Sequence, residues 1–335
     1  MSHIPDPMTA PPLRWGFLGT GMIARFLAEA ARDGTTQILQ AIGSRTQDKA
    51  DAFAQKYNVP QAFGSYEELV ACPDVDVVYI ATPNSEHHAN TKLALEAGKH
   101  VLVEKSFTLT QAQAIDLAEL AKQKNLFITE AMWTRFLPHQ IELRRRIANG
   151  DLGDLVAAAG DLGQRDPVDL TDRFYSNELG GGSLYDRGVY PILWIADLFG
   201  IPQTVQARAE MTFSGVDGHL SVILGYPDKG VHAVAQSSIL ARTPAAGWVA
   251  GTKGYCEVPG FWAPAPLHFS FADGSTETWQ WEGIASRGYE YEMAAIARAI
   301  TEGLLTHPLI PIEETIAIQG LFDEIRAQIG LTWTT

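Results

Sequence analysis

Cysteine is nearly absent. The 335-residue chain has two, Cys72 and Cys256, far apart and outside any Cys-x-x-Cys or Cys/His grouping. That excludes a disulfide framework and a thiolate zinc site, and both thiols are expected to be reduced and structural. Long apolar runs are also missing, and no stretch reaches the roughly 18 residues that a membrane-spanning helix needs. The start, Met1 to Pro12, has no basic cluster leading into an apolar segment, so it does not read as a secretory signal, and the cytoplasm is the expected location. Positive charge is scarce: 25 Lys and Arg stand against 39 Asp and Glu, a formal net charge of −14. Such a surface repels phosphate backbones, so nucleic acid is not an expected partner, while a local pocket can still take an anionic cofactor. No His/Asp cluster has metal-ligand spacing, and there is no internal repeat or low-complexity tract.

What is present is a globular composition, 46% apolar and 19% charged, over a length comfortable for two domains. From Leu13 the chain alternates strand-like and helix-like segments: Leu13–Leu18, Met22–Asp33, Ile38–Ile42, Gln47–Tyr57, Tyr66–Ala71, Val75–Thr82, Ser85–Ala97, His100–Val103, Thr110–Lys124 and Leu126–Thr129. This rhythm predicts a parallel, doubly wound sheet. A helix over His139–Ala148 follows, and near Gly150 the character changes. Strand-like segments then dominate (Leu155–Asp161, Val205–Phe213, His219–Tyr226, Val231–Ser238, Trp248–Val258), interrupted by one helix, Ser183–Phe199, and closed by two, Tyr289–Glu302 and Ile312–Ile329. The expected fold class is an α/β Rossmann domain plus an α+β domain with an open, mainly antiparallel sheet. The expected division is a loose lead-in at 1–12, the Rossmann domain at 13–135, and a substrate and dimerisation domain at 136–335 whose last helix can pack back on the first.

The first strand meets Gly19-Thr20-Gly21-Met22-Ile23-Ala24. In a Gly-x-Gly-x-x-Ala turn between strand and helix, the first glycine makes the tight turn. The second lets the backbone approach a pyrophosphate, and the alanine permits close packing. The helix N-terminus then offers free N–H groups to the phosphates; an unliganded tight turn is the alternative. NAD sites place a carboxylate about 20 residues further on, for the ribose 2′-OH. Here Ser44 and Arg45 stand instead, and a planar guanidinium suits a 2′-phosphate, so NADP is expected over NAD. Two more strand ends carry polar groups, Thr82-Pro83-Asn84 with His87 beyond, and Glu104-Lys105. A structural ion pair and a satisfied structural histidine are the rival readings. In the interrupting helix, Gly188 and Pro191 break helix rules at about 1 and 3 kcal/mol, which tends to mark functional sites. Asp186 and Tyr190, four apart, share a helical face and could handle a proton; a core tyrosine is the rival.

Taken in order and spacing, Gly19-Thr20-Gly21, Thr82-Pro83-Asn84, Glu104-Lys105 and Asp186-x-Gly188-x-Tyr190 resemble the glucose–fructose oxidoreductase / inositol dehydrogenase superfamily. Within it the chain is most similar to the branch of dimeric dihydrodiol dehydrogenases and NADP-dependent D-xylose 1-dehydrogenases. The segment Glu130-Ala131-Met132-Trp133-Thr134-Arg135-Phe136, Gly251-Thr252-Lys253-Gly254, Trp262 and Gly330-Leu331-Thr332 fit that branch. The resemblance runs from about Leu13 to the C-terminus. It implies an enzyme moving hydride between a sugar or cyclic polyol CH–OH group and NADP, expected to be an aldose 1-dehydrogenase of the D-xylose type, with a trans-dihydrodiol or other polyol as the alternative substrate. A catalytically silent NADP-binding regulator is the alternative of another class. Gly19, Thr20, Gly21, Met22, Ile23, Ser44, Arg45, Thr82, Asn84, His87, Glu104 and Lys105 would face the cofactor. Lys105, Tyr190 and Asp186 would be catalytic, while Trp133, Arg135, Tyr190 and Trp262 would line the substrate. Free phenols and ammonium groups titrate near about pH 10, so either must be lowered to act as base; whether Lys105 or Tyr190 does so stays open. Ser106 stands where the family has proline, which leaves the backbone after Lys105 less constrained. The substrate is expected to be a small neutral sugar or diol. The family implies a homodimer or higher homo-oligomer paired through the open sheet, and no metal.

Overall fold

The computed structural model describes residues 4–167 and 173–333. Contacts divide the chain into two compact units, 1–136 with 284–316, and 137–283 with 317–335.

In the first unit, β1 (Arg14–Leu18), α1 (Met22–Gly34), β2 (Ile38–Gly43), α2 (Gln47–Tyr57), β3 (Gln61–Phe63), α3 (Tyr66–Val70), β4 (Val77–Ile80), α4 (His87–Glu96), β5 (His100–Glu104), α5 (Gln111–Lys124) and β6 (Ile128–Ala131) alternate. The sheet order is β3-β2-β1-β4-β5-β6, and every neighbouring pair is parallel. This is the doubly wound order in which ligands bind outside the carboxyl ends of the strands. The central strands are apolar on both faces because helices cover both. Trp15, Phe17 and Leu18 on β1 and all four residues of β4 are fully buried, each large side chain contributing about 1.5–3 kcal/mol. The short β3 lies between Gln47–Tyr57 and Tyr66–Ala71, where the sequence reading places no element.

The second unit holds α6 (Pro138–Ala148), β7 (Leu155–Gly163), a π-turn (Leu184–Gly188), α7 (Val189–Phe199), β8 (Thr204–Met211), β9 (Asp217–Tyr226), β10 (Val231–Ser238), β11 (Ala246–Gly251), β12 (Gly254–Pro259), β13 (Leu267–Phe271) and β14 (Thr276–Trp279). The strands order as β14-β13-β12-β11-β7-β10-β9-β8. Only β7 and β10 run parallel; the other neighbours are antiparallel. The apolar α7 covers one face, and β10 shows the alternation, with Val231, Ala233 and Ala235 buried and His232, Val234 and Gln236 exposed. Three details differ from the sequence reading. The single strand expected over Trp248–Val258 is the hairpin β11/β12, turning at Thr252 and Lys253. The strands β13 and β14 flank a turn at Asp273 and Gly274, in a stretch where the sequence reading places no strand. The helix expected from Ser183 opens as a π-turn, so Pro191 falls in the first turn of α7, where a missing N–H costs little.

Two closing helices, α8 (Tyr289–Thr301) and α9 (Ile312–Ile329), follow. The stretch 284–316 belongs with the first unit, whereas the sequence reading puts all of 136–335 in the second. The expected loose lead-in is in fact packed. Pro7–Thr9 forms a 3-10 turn capped by Asp6, Ala10 is buried against Ala294 and Ala297 of α8, and Arg298 donates to Asp6 O at 2.6 Å and Thr9 Oγ1 at 2.9 Å. Among the described residues no helix is long and apolar enough to cross a membrane.

Asp217 fixes the start of the π-turn. Its Oδ2 accepts from Leu184 N at 2.7 Å, and a Cβ on Gly182, at φ +102°, would lie 2.3 Å from its Oδ1, so only glycine fits there. Burial pushes the Asp217 carboxyl up to about 7. A folded-state value above the unfolded one means stability is fully present below about pH 3.8 and is lost as pH rises to about 7. Against Asp217→Asn, the unsubstituted protein should therefore lose unfolding free energy by up to about 1.4 kcal/mol per pH unit in that window. Denaturant titrations at several pH values measure this; a pH-independent difference would contradict the buried protonated state.

Candidate active site

At the carboxyl end of β1 the backbone turns at Gly19, φ +105°, where an added Cβ would sit 2.6 Å from Ala81 O. Gly21 then caps α1 without a side-chain bond, and the first turn of that helix holds no acidic residue. A Cβ on Gly21 would meet nothing within 4 Å. The helix N-terminus thus faces open space with its N–H groups uncommitted, which fits a pyrophosphate. At the end of β2, Ser44 is buried with its N–H on Phe63 O at 3.1 Å, while Arg45 is exposed. Arg45 lies within charge range of Tyr66, whose phenol is raised chiefly by burial and drawn back by that guanidinium. No acidic residue occupies 42–46, so these residues fit a nicotinamide dinucleotide and suit a 2′-phosphate.

At the end of β4, Thr82 and Asn84 are half-buried, and Thr82 Oγ1 accepts from Asn90 Nδ2 at 3.2 Å. At the end of β5, Glu104 accepts a short bond from Tyr79 OH and one at 3.2 Å from Lys105 N. The Lys105–Ser106 peptide is cis, and Lys105 is half-buried. The Glu104 carboxyl belongs to a buried acidic group. Glu130 Oε1 accepts from Phe107 N at 3.2 Å, and burial pushes that carboxyl up to about 7. Burial, with Glu104 and Glu130 nearby, holds Glu292 well above the usual carboxylate range.

Three assignments from the sequence need correction. His87 has no exposed surface; its ring lies between Thr82 O at 2.9 Å and Ser106 O at 3.1 Å, and burial lowers it to about 4. It joins two strand ends and does not present its ring to a cofactor. Arg135 is taken up by Glu314 at 2.5 Å and Leu309 O at 2.7 Å, 4% exposed, and so does not reach for substrate. Trp133, equally buried, stacks on Tyr289 with centroids 4.2 Å apart.

In the second unit, Asp186 sits in the π-turn, and its carboxylate pairs with Arg173 at 2.9 Å and Arg187 at 3.1 Å. Arg187 also pairs with Asp166 at 3.0 Å, and both guanidiniums lie over the Phe174 ring at 4.3 and 5.1 Å. The sequence reading pairs Asp186 with Tyr190 by helical spacing, and the π-turn replaces that regular spacing. The Tyr190 ring sits 6.3 Å from that of Trp262. Sequence reasoning missed Arg173, Asp166, Tyr79 and Glu292. Their partners lie across loops or on other elements, where no local spacing signals them. Among the described residues, no group of three His, Cys, Asp or Glu could hold a metal ion.

The family model for an oxidoreductase family with an NAD-binding Rossmann fold matches residues 13–131, and the GFO/IDH/MocA C-terminal domain matches 141–257. The chain is 32% identical to trans-1,2-dihydrobenzene-1,2-diol dehydrogenase of Mus musculus, covering 96% of this chain and 98% of that one. It is 33% identical to D-xylose 1-dehydrogenase (NADP(+)) of Hypocrea jecorina, covering 96% and 93%. Among solved structures, an aldose-aldose oxidoreductase from Caulobacter crescentus superposes with a TM-score of 0.86 at 23% identity, covering 95% and 97%. A 3-ketoreductase from Actinomadura kijaniata in complex with NADP superposes at 0.83 and 25%, covering 95% and 98%. Relatives above 30% identity along nearly the whole chain, over a glycine turn and helix terminus built for a dinucleotide, establish that this chain belongs to the GFO/IDH/MocA oxidoreductase family.

Proposed function

We propose that the protein is an NADP-dependent dehydrogenase acting on CH–OH donors, with a small neutral sugar oxidised at its anomeric carbon, of the D-xylose type, as substrate. The observation that carries this reading is the row of strand ends in the first unit: the open N-terminus of α1 at Gly21, the exposed Arg45 after β2, and Lys105 after β5. The exposed guanidinium, with no carboxylate beside it, supports NADP over NAD, as does the NADP(+) relative. Around Asp186, two arginines are matched by two aspartates, an arrangement that offers no unbalanced positive charge to an acidic substrate and suits a neutral one.

A nicotinamide cofactor, which the turn from Gly19 to Ile23 and Arg45 would hold, would supply the hydride acceptor for the carbinol carbon. The proton acceptor for the hydroxyl on that carbon is Lys105 or Tyr190. One of them takes its proton as the C–H electron pair departs, leaving a C=O and a net balance of charge. Glu104 accepts from the Lys105 N–H, which fixes the backbone from which the lysine projects. Asp186, bridging Arg173 and Arg187, holds the turn that precedes Tyr190. Trp262 offers an apolar face to the C–H side of a sugar ring. Oxidation of a trans-dihydrodiol is the second reading, favoured by the mouse relative at 32% identity.

The open face of the second sheet supports a homodimer. Ile223, Val234, Ala159 and Trp248 form one registered row across β9, β10, β7 and β11, and Ile223, Val234 and Trp248 are 44%, 37% and 41% exposed. A monomer rarely leaves such a row uncovered. Sedimentation should give a dimer that Val234→Glu converts to monomer. A monomeric unsubstituted protein would refute the pairing.

The first test is the initial rate of NADPH formation with NADP and D-xylose, against NAD and against a trans-dihydrodiol under the same conditions. A rate with NADP and D-xylose is expected, and no rate with any pair would overturn the reading. Arg45→Ala should cut the NADP-over-NAD preference by about 10- to 100-fold, the worth of a charged hydrogen bond or two; an unchanged ratio would remove Arg45 as selector. Lys105→Met should slow hydride transfer by about 10²- to 10⁴-fold and leave NADPH affinity within a factor of about 3. Unchanged turnover in that variant would sink the assignment.

A further inference from the structure

The loop 260–266 of the second unit carries Trp262, which the proposed function places against substrate. The inference below rests on that reading. Trp262 is half-buried, its ring faces Tyr190, and its indole Nε1 is buried with no hydrogen-bond partner among the described residues. The described residues leave that donor unpaired.

What holds this tryptophan is the residue before it. The carbonyl of Phe261 is gripped from α6: Gln140 Nε2 donates to it at 3.0 Å, and His139 Nε2 lies 3.3 Å away. The other end of the same amide, Gln140 Oε1, accepts from Trp194 Nε1 on α7 at 3.1 Å, and the Trp194 and Phe261 rings pack at 5.2 Å. Gln140 and His139 are each 2% exposed and Phe261 is 1% exposed. The amide orientation follows from its partners, since a flipped amide would set oxygen against oxygen at Phe261 and N–H against N–H at Trp194. One buried side chain thus ties two helices to the peptide plane from which Trp262 projects. At its start the loop is pinned by Gly260 N on Ala245 O at 2.9 Å. Removing the amide leaves the buried Trp194 indole N–H unpaired and the Phe261 carbonyl with His139 alone.

We propose that Gln140 is a positioning residue for substrate recognition: through the Phe261 carbonyl it sets the placement of Trp262, and so substrate affinity, without touching substrate or cofactor.

The test is a double-substitution cycle in the full-length enzyme, with Gln140→Met, Trp262→Ala and the pair, read as KM and kcat for the substrate that gives the highest rate. NADPH affinity is followed in parallel by its own fluorescence. Gln140→Met is expected to raise substrate KM by about tenfold with kcat within about threefold, a displacement effect and not lost chemistry, and with NADPH affinity unchanged. That penalty should vanish in the Trp262→Ala background, because the two substitutions act through one contact chain. An equal penalty in both backgrounds, or an unchanged KM in Gln140→Met, would overturn the role of Gln140 and leave Trp262 in place. An unchanged KM in Trp262→Ala alone would instead overturn the reading of Trp262, and this inference with it. If Gln140→Met does not fold, Gln140→Glu keeps the acceptor for Trp194 and loses the donor to Phe261. The same KM rise is then expected, and its absence overturns the proposal.

Discussion

The close approach of β1 and β4 at Gly19 is the constraint on which the first unit turns. Gly19 N donates to Gly43 O at 3.0 Å, and Ala81 N donates to Leu18 O at 2.9 Å. The carboxyl ends of β2, β1 and β4 are thereby drawn into one line, and any side chain at Gly19 would collide with the Ala81 carbonyl. Because those ends align, α1 starts where its free N–H groups face outward from the sheet, and the polar residues after β4 and β5 fall on the same edge. The apolar interior supplies most of the stability, and this single turn decides where the chemistry can sit.

Much of this was legible in the sequence because the signals are local. Alternating apolar runs mark β1, β2, β4 and β5, and Gly19-Thr20-Gly21 marks the turn. Gly188 and Pro191 break helix rules in the sequence, which marks the place without naming its form, and a π-turn stands there. The sequence reading takes the hairpin at Thr252 and Lys253 as one strand because apolar residues run through both arms and only the four residues from Gly251 to Gly254 interrupt them. Most of what was misjudged depended on partners far along the chain. Arg135 meets Glu314, Trp133 meets Tyr289, and His87 meets Ser106 O. Proximity to a motif made each look available, and a distant segment had already claimed it.

Buried charge is handled in two ways. In the second unit, Asp186 keeps its charge beside two guanidiniums, one of them shared with Asp166. In the first, burial outweighs the pull of Arg135 on Glu130 and, with Glu104 and Glu130 nearby, raises Glu292, so both favour the neutral acid. Protonation in place of pairing lets three carboxyls lie close together, while Glu104 accepts from Tyr79 and Lys105.

The return of 284–316 to the first unit has a consequence for how the chain matures. Although most of the nucleotide-binding unit is made first, Ala10 has no cover until Ala294 and Ala297 are made, and Trp133 has no stacking partner until Tyr289 appears. A nascent chain ending anywhere in the second sheet carries an N-terminal unit with an open seam. That unit is therefore the first begun and close to the last completed, and during synthesis its apolar seam stays exposed for as long as the intervening 147 residues of 137–283 take to emerge.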